Sequence, residues 1–368
     1  MKIVEIAVFH RALPINGEPY RMALQTLTEL DATLVRITTD TGVVGFGESC
    51  PLGPAYQPEH MLGARAALQE IAPHLIGLNP LHINQLYGVM NQALCGSLYA
   101  KAAIDMALWD IAGKTYGMRV CDLLGGALRE RVPSYYAISL LPADEAALVA
   151  QQKQAAGFKR LQLKVGGRDI SEDIAAVHKV CEVLAADTVL AVDANRGLSA
   201  RDAIQLSLAC RDRRFVLEQP CMTYEQCLSV RQRIAHPLYL DEVITDLNML
   251  LRAIGDNAAD GFGMKQSRVG GISQMRTIRD VCASVGLPMT SDDTWGGDLI
   301  AASCLHVAAT MQPSLCDGVW IAAPYIDGHY DADNGIEIDG GQLQLPTGPG
   351  LGVVPHIAAQ EQPLMRFA

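Results

Sequence analysis

The feature that most limits the fold of this chain is the regular recurrence of short β-rich segments after about residue 130. Successive segments begin 23 to 28 residues apart, and patterns typical of helices, such as DEAALVAQQKQAAG, lie between them. Strands that alternate with helices at this period predict a (β/α)8-type barrel. The eight predicted strands cover residues 132–139, 160–166, 188–195, 215–220, 238–242, 262–267, 287–293 and 315–320.

The residues before the barrel have a different order, in which strands come first and helices follow. Alternating apolar and polar residues predict a three-stranded meander at 2–10, 31–40 and 43–49, and the TDTGVVG turn joins its last two strands as a hairpin. Apolar residues at helical spacing predict helices in the segments that follow. We therefore expect an α+β domain over 1–127, completed by the tail 330–368, and the barrel over 128–329.

The composition excludes several classes of partner. Forty acidic and 29 basic residues give a formal charge of −11, which disfavours binding to nucleic acid and to anionic membranes. No apolar run reaches the roughly 18 residues of a membrane span. The opening MKIVEIAVFHRALP lacks the apolar core of a secretory leader, so a cytoplasmic protein is expected. The ten scattered cysteines are predicted to be reduced, and the nine histidines form no close pair that would predict a metal cage.

Acidic residues close three successive barrel strands. Strand three ends with Asp193 and Asn195, strand four with Glu218, and strand five with Asp241 and Glu242. Because active sites of such barrels lie at the carboxyl ends of the strands, these side chains are expected to point toward one volume. Their like charges would repel one another unless a cation lay between them. All-oxygen ligands that leave positions for water and substrate favour Mg²⁺.

Two lysines lie on either side of these carboxylates. Lys164 ends the strand before them, and Lys265 ends the strand after them. A nearby divalent cation and partial loss of solvent lower the pKa of a lysine, so each is expected to supply a neutral amine as a base. Two bases on opposite faces of a substrate carbon suit a racemase or epimerase, in which one lysine removes an α-proton and the other returns a proton.

The ordered motifs of the whole chain resemble the enolase superfamily, in its muconate-lactonising-enzyme branch. These motifs are AIDMALWDIAGK (103–114), Lys164, VDAN (192–195), LEQP (217–220), LDE (240–242) and the lysine of MKQSRVGG (264–271). The resemblance implies an α+β capping domain on a (β/α)7β barrel, with Mg²⁺ held by Asp193, Glu218 and Asp241. It also implies metal-assisted abstraction of a proton α to a carboxylate, and a homo-oligomer.

The chain departs from the family pattern in the second barrel strand. Many members carry K-x-K there, whereas this sequence has Gln162-Leu163-Lys164, so only the second lysine is kept. The His–Asp dyad of the mandelate-racemase type is also absent, since Lys265 occupies the strand-six position. The departure at Gln162 leaves open how the pKa of Lys164 is set.

Aromatic residues near the predicted site indicate a cationic substrate. Trp320 ends strand eight, Trp295 follows strand seven, and Tyr56 lies in the loop after the meander, where capping residues of the family reach the barrel mouth. An indole face attracts a cation that has no N–H to donate, so these rings suit a quaternary ammonium. Asp292 and Asp293 are expected to add counter-charge beside the rings.

A further set of motifs is similar to those of the proline betaine and 4-hydroxyproline betaine 2-epimerases of this superfamily: PLGPAY, KAAID, VPSYYA, LEQPC, GMKQSRVGG, DDTWGGD and GVW. This resemblance implies an isomerase that inverts C2 of a proline betaine through an enediolate, with C2 between the two lysines. Dehydration of a hydroxyproline or an acid sugar and racemisation of an N-acylamino acid remain as alternatives. A betaine-binding protein without activity is the alternative outside the enzymes.

Overall fold

Long strands rich in Val, Ile, Leu and Thr open the chain, which the computed structural model describes over residues 1–368. They are β1 (Ile3–Pro14), β2 (Tyr20–Arg21), β3 (Thr26–Leu27), β4 (Glu29–Thr39) and β5 (Val44–Ser49). The central strand β4 pairs with both β1 and β5, and β2 pairs with β3 in a separate hairpin. The predicted meander is confirmed, and the N–H of Gly42 donates to the carbonyl oxygen of Thr39 in its second turn.

Helices cover this sheet, and one of them connects it to the barrel. The helices are α1 (Met61–Ile71), α2 (Ile83–Ala93), α3 (Leu98–Tyr116) and the short α4 (Val120–Leu123). Every residue of α3 from Tyr99 to Gly113 is buried, because this helix lies between β5 and the barrel. Glycine in β5 allows the close approach: a Cβ at Gly47 would lie 1.9 Å from the carbonyl oxygen of Ala103.

Eight strand positions form a closed parallel barrel, as the sequence period predicts. After β6 (Arg131–Pro133), six consecutive strands pair in order: β7 (Tyr136–Ile138), β8 (Arg160–Lys164), β9 (Val189–Asp193), β10 (Val216–Glu218), β11 (Leu238–Leu240) and β12 (Gly261–Phe262). Single parallel bridges complete the ring, from Phe262 to Met289, from Met289 to Cys316, and from Val319 to Ser134.

Helices follow the barrel strands and pack around them, as in other barrels of alternating strands and helices. They are α5 (Ala143–Ala155), α6 (Ile170–Val183), α7 (Ala200–Ala209), α8 (Tyr224–Arg231), α9 (Leu247–Gly255), α10 (Gln266–Val269), α11 (Ile272–Val285) and α12 (Asp298–Ala309). Short 3-10 helices lie at Ala72–Leu75, Pro313–Leu315 and Ala323–Tyr325. No helix has the length and apolar character needed to cross a bilayer. All ten cysteines are free thiols, so the prediction of reduced cysteines is confirmed.

Four predicted barrel strands differ from those observed. The first, 132–139, is divided, because β6 pairs with the tail whereas β7 pairs with β8. The sixth ends early, since α10 begins directly after Lys265. The seventh and eighth are reduced to single bridges, and the Asp292 carboxylate accepts the backbone N–H of Trp320 at 2.7 Å in place of a strand partner.

The tail of the chain contacts both domains. Strands β13 (Ile338–Asp339) and β14 (Gln342–Gln344) form a small antiparallel sheet with β6. The last strand, β15 (Met365–Phe367), pairs with β1 at the edge of the first sheet. The return of the tail therefore adds a strand to the capping domain.

Two buried carboxylates of the capping domain lie at the N-termini of barrel helices. Glu48 accepts hydrogen bonds from the N–H groups of Gly297, at 2.7 Å, and Ile300, at 3.2 Å, where α12 begins. Asp105 accepts one from the N–H of Ser273, at 3.0 Å, in the first turn of α11. Burial raises the pKa of both carboxyls to about 7. Because these helices begin at the carboxyl ends of strands, the two contacts fix the capping domain over that end of the barrel.

Candidate active site

Parallel pairing brings the predicted acidic residues and the first lysine together at one end of the barrel. Lys164 pairs in register with Asp193, and Asp193 with Glu218, so their side chains lie side by side at the ends of β8, β9 and β10. Asp241 follows β11 directly. All four residues are more than nine-tenths buried. The structure therefore gathers these four predicted site residues in one place.

Polar side chains pair with the first two of these carboxylates. Lys164 Nζ lies 2.6 Å from Asp193 Oδ2. Gln162 Nε2 donates to Glu218 Oε2 at 3.0 Å. The residue that replaces the first lysine of the family pattern therefore orients a carboxylate through a neutral amide.

The third carboxylate lies between two cations. Asp241 Oδ2 is 3.1 Å from Lys265 Nζ, and its other oxygen forms an ion pair with Arg268. The Arg268 guanidinium also donates to the carbonyl oxygens of Gly263, at 2.8 Å, and Ile244, at 2.9 Å. Burial raises the pKa of Asp241, but the charges of Lys265 and Arg268 outweigh it and hold this pKa below the usual range.

Lys164 and Lys265 face one cavity from opposite sides of the barrel. They follow the second and sixth of eight strand positions, and both line the same cavity. Burial lowers the pKa of each lysine, but the carboxylates of Asp193 beside Lys164, and of Asp241 and Asp292 beside Lys265, outweigh it. The net shift of the pKa is upward for both lysines while they are paired in this way, whereas the expected lowering refers to lysines beside a bound divalent cation.

The donor set fits a hard divalent cation. Burial raises the pKa of Glu218 to about 8, and the charges of Asp193 and Asp241 add to the shift, as expected for like charges held together. Asn195 Nδ2 donates to Glu242 Oε1 at 2.9 Å, which leaves Asn195 Oδ1 and Glu242 Oε2 buried without partners. Such unpaired oxygen acceptors, beside three carboxylates, are the ligands that Mg²⁺ prefers, directly or through water.

The side chains are nevertheless not arranged as a ready coordination shell. No group of three or more His, Cys, Asp or Glu residues lies in positions that could hold a metal ion together. Instead, the oxygens of Asp193 and Asp241 form ion pairs with nitrogen atoms of lysine and arginine side chains. A cation would therefore have to displace these ion pairs, with Asp193, Glu218 and Asp241 as the residues that would hold it.

Strained backbone shapes the loops beside the carboxylates. Asn195, Arg196 and Gln219 have φ values of 41°, 69° and 33°, in the left-handed region that residues other than glycine seldom adopt. Such strain costs on the order of 1–3 kcal/mol per residue and tends to be found at functional sites. Gln219 Oε1 in turn accepts the backbone N–H of Asp241 at 2.8 Å, so the strained loop after β10 positions the next carboxylate.

Four of the five predicted substrate-binding residues line the cavity, namely Tyr56, Asp293, Trp295 and Trp320. The two indole rings meet edge to face, with centroids 5.0 Å apart. The oxygens of Asp293 already accept hydrogen bonds from Ser267 N, at 2.9 Å, and Thr294 N, at 2.7 Å. Asp293 therefore holds the wall of the cavity together and does not offer a free counter-charge.

Asp292 does not line the cavity, contrary to its predicted role beside the substrate. Its Oδ2 accepts from Tyr135 Oη at 2.7 Å and from Thr290 Oγ1, and lies 3.4 Å from Lys265 Nζ. Its Oδ1 accepts from the N–H of Trp320. Asp292 therefore lies outside the cavity wall, where its contacts position Lys265 and Trp320.

The capping domain contributes Tyr20, Met22 and Leu52 to the cavity wall, and of these Tyr20 and Leu52 were not predicted from the sequence. Tyr20 contacts Trp295 and Tyr325 edge to face, with centroids 5.3 Å apart in each pair. No spacing pattern marks these residues, since Tyr20 lies in the two-residue strand β2 and Leu52 lies in a loop. The one sequence signal is the aromatic side chain of Tyr20, which lies between the long strands β1 and β4.

Two family models match the chain over most of its length. The N-terminal domain of mandelate racemase / muconate lactonizing enzyme matches residues 3–125, and the enolase C-terminal domain-like model matches residues 144–359. The chain belongs to the enolase superfamily. Structures in this superfamily agree with the fold described above: a member from Roseovarius nubinhibens ISM, complexed with magnesium, has a TM-score of 0.94 at 35% identity, covering 100% of this chain and 99% of that one.

Curated members of the superfamily that are similar to this chain differ in reaction. A cis-3-hydroxy-L-proline dehydratase from Roseibium aggregatum is 40% identical over 370 residues, covering 100% of both chains. An L-Ala-D/L-Glu epimerase from Bacillus subtilis is 26% identical, and the match covers 96% of this chain and 97% of that protein. Membership of a superfamily with dehydratase, epimerase and cycloisomerase members is thus shown, whereas assignment to the isomerases is not.

Proposed function

We propose that this protein is a Mg²⁺-dependent hydroxyproline dehydratase that removes the C2 proton of cis-3-hydroxy-L-proline and eliminates its 3-hydroxyl group as water. The observation that carries the proposal is the placement of Lys164 and Lys265 on opposite sides of one cavity. The 40% identity to a cis-3-hydroxy-L-proline dehydratase over the whole chain supports it. This choice puts the dehydration alternative ahead of the betaine epimerase that the motifs first indicated.

The stereochemistry of the cis isomer matches two opposed lysines. In this isomer the hydroxyl group and the carboxylate lie on the same face of the ring, so the C2 hydrogen lies on the opposite face from the hydroxyl. One lysine would take the C2 proton as a base while the other, as an acid, gives a proton to the departing hydroxyl. The C2–H and C3–O bonds break, a C2=C3 double bond forms, and the enamine product tautomerises to a cyclic imine.

The trans-3 isomer presents the proton and the hydroxyl on one face, where a single lysine would have to serve both. The two-lysine geometry therefore favours the cis isomer. A Mg²⁺ ion held by Asp193, Glu218 and Asp241 would stabilise the negative charge that develops on the substrate carboxylate. The capping domain closes the site above the substrate. Tyr20 and Tyr56 are buried and line the cavity, where they limit the access of water.

Product analysis tests this proposal directly. The protein with Mg²⁺ is incubated separately with cis-3-hydroxy-L-proline and trans-3-hydroxy-L-proline, and the products are followed by mass spectrometry. Loss of one water from the cis isomer, and little from the trans isomer, is expected. Equal rates on both isomers would contradict elimination across opposite faces, and no loss of water from either would contradict the dehydratase.

The 2-epimerisation of a proline betaine is the second candidate, and the aromatic wall favours it. Trp320, Trp295 and Tyr20 form a continuous set of rings along the cavity, which could bind a quaternary ammonium by cation–π contacts. The same lysines would exchange the C2 proton on opposite faces with no change of mass. Optical rotation of proline betaine at constant mass distinguishes this reaction from dehydration, and Trp320→Ala should raise KM for the betaine far more than for a neutral analogue.

A further inference from the structure

Tyr20 carries a buried hydroxyl group that no protein atom hydrogen-bonds. The side chain is 6% exposed, and its Oη has no partner. Nearly all buried polar groups in folded proteins are paired, and an unpaired one costs about 1–3 kcal/mol. Since Tyr20 lines the cavity, a ligand in the cavity is the available partner for this hydroxyl.

Tyr20 and Lys164 line the same cavity. Burial raises the pKa of Tyr20, with the charge of Lys164 opposing the shift and that of Asp193 adding to it. The ring is held by edge-to-face contacts with Trp295 and Tyr325. A protonated phenol fixed in this way can both donate and accept a hydrogen bond.

The β2–β3 hairpin, which carries Tyr20, packs against the barrel. Arg21 N donates to Ser139 Oγ at 3.0 Å. A Cβ at Gly167 would lie 2.4 Å from the carbonyl oxygen of Ala23, and one at Gly197 would lie 2.6 Å from the Ala23 Cβ. Glycines in the loops after β8 and β9 thus let the capping loop approach the site, so the position of the Tyr20 hydroxyl is fixed before a ligand binds.

The neighbouring wall from the capping domain is apolar, with Met22 and Leu52 as its side chains. The substrate carboxylate belongs with the acidic end of the cavity, where the cation would bind it. The ring ammonium suits the indole faces of Trp295 and Trp320, which leaves the ring hydroxyl of a hydroxyproline to meet Tyr20. We infer that the Tyr20 hydroxyl binds the ring hydroxyl of the substrate and sets a preference for hydroxylated over unhydroxylated cyclic amino acids, an inference that rests on the proposed function.

The test compares Tyr20→Phe with the wild-type protein on two substrates. Rates of C2 hydrogen exchange in D2O are measured by proton NMR, with Mg²⁺, for cis-3-hydroxy-L-proline and for L-proline. We expect kcat/KM for cis-3-hydroxy-L-proline to fall by about 5- to 150-fold in the variant, the loss of one buried hydrogen bond. The ratio of the rate for cis-3-hydroxy-L-proline to the rate for L-proline should fall in the variant, because L-proline has no hydroxyl for Tyr20 to bind.

Equal losses on both substrates, or an unchanged ratio of the two rates, would overturn the inference and leave the proposed function standing. Failure of the wild-type protein to act on cis-3-hydroxy-L-proline would overturn the proposed function and this inference with it.

The unfolding temperature distinguishes a role of the Tyr20 hydroxyl in substrate binding from a role in protein stability. Tyr20→Phe removes a hydroxyl without a protein partner, so the unfolding temperature should not fall. Tyr330→Phe is the matched control, because the Tyr330 hydroxyl donates to Glu48 at 2.8 Å away from the cavity. That control should lower the unfolding temperature without changing the substrate ratio, and a similar fall for Tyr20→Phe would contradict the inference.

Discussion

Lys164 and Lys265 end opposite strand positions of one barrel, and each is held by a carboxylate that is also a candidate metal ligand. Lys164 Nζ lies 2.6 Å from Asp193, and Lys265 Nζ lies 3.1 Å from Asp241. A cation that bound these carboxylates would release both ammonium groups toward the cavity. Metal binding and proton transfer are therefore expected to be coupled in this site.

The two lysines are predicted to be essential for dehydration. Lys164→Ala and Lys265→Ala should each lower kcat for cis-3-hydroxy-L-proline by about 10²–10⁴-fold, the usual contribution of a general acid or base. Lys159→Ala is the control, since its side chain is 63% exposed and pairs with Asp187 on the surface. Wild-type turnover in either site variant, measured as release of product, would rule out the two-lysine mechanism.

Gly263 is predicted to be required for metal binding. A Cβ at this position would lie 2.8 Å from Glu218 Oε1 and 3.1 Å from Asp241 Cβ, so Gly263→Ala should move both carboxylates. We expect weaker Mg²⁺ binding, measured by titration calorimetry, and lower activity. Gly255→Ala is the control, because nothing lies within 4 Å of its Cβ at the end of α9, and it should change neither Mg²⁺ binding nor activity.

Removal and return of the metal give a third prediction. Buried carboxylates that repel one another should be stabilised by a cation, so excess Mg²⁺ should raise the unfolding temperature by roughly a few degrees. EDTA should abolish activity, and added Mg²⁺ should restore it. Glu218→Gln removes one charge of the set, and its unfolding temperature should respond little to Mg²⁺. An equal rise in Glu218→Gln and wild type, by scanning calorimetry, would place the Mg²⁺ elsewhere.

Stability is predicted to depend on pH through Glu48. Burial raises its pKa in the folded protein to about 7 from an ordinary value of 4.5, so the folded state retains a proton that the unfolded chain has released. This contribution to stability is complete below pH 4.5 and is lost as the pH rises through 7.

Glu48→Gln keeps the neutral form at every pH. Between pH 5 and pH 8 the wild-type free energy of unfolding should therefore fall by roughly 2 to 3 kcal/mol more than that of the variant. Asp105 shifts in the same direction, and its share remains in both proteins. Urea unfolding at the two pH values measures the difference, and parallel pH profiles would exclude Glu48 as its source.

The strand–helix repeats of the barrel were predictable from the sequence, because their regular spacing indicates the fold without knowledge of long-range contacts. Strand ends such as Lys164, Asp193 and Glu218 were located by counting along the repeats, and parallel register then brings them together. Single bridges at Met289 and Cys316 were predicted as full strands, because their apolar residues satisfy the same pattern.

Side-chain partners were not predictable in the same way. Asp292 stands at the end of a predicted strand and was assigned to the substrate, but four donors occupy its oxygens, three of them from distant residues. Tyr20 reaches the site from the short β2–β3 hairpin more than a hundred residues before Lys164, which no local spacing indicates. The pKa of Lys164 depends on its ion pair with Asp193, a contact that only the folded register creates.

Proton NMR in D2O most directly tests whether this site removes the C2 proton with the help of Mg²⁺. The wild-type protein is incubated with cis-3-hydroxy-L-proline, once with Mg²⁺ and once with EDTA. We expect the C2 proton signal to be lost as the dehydrated product forms in Mg²⁺, and we expect neither change in EDTA. Persistence of the C2 signal in Mg²⁺, or product formation at the same rate in EDTA, would contradict metal-assisted proton abstraction at this site.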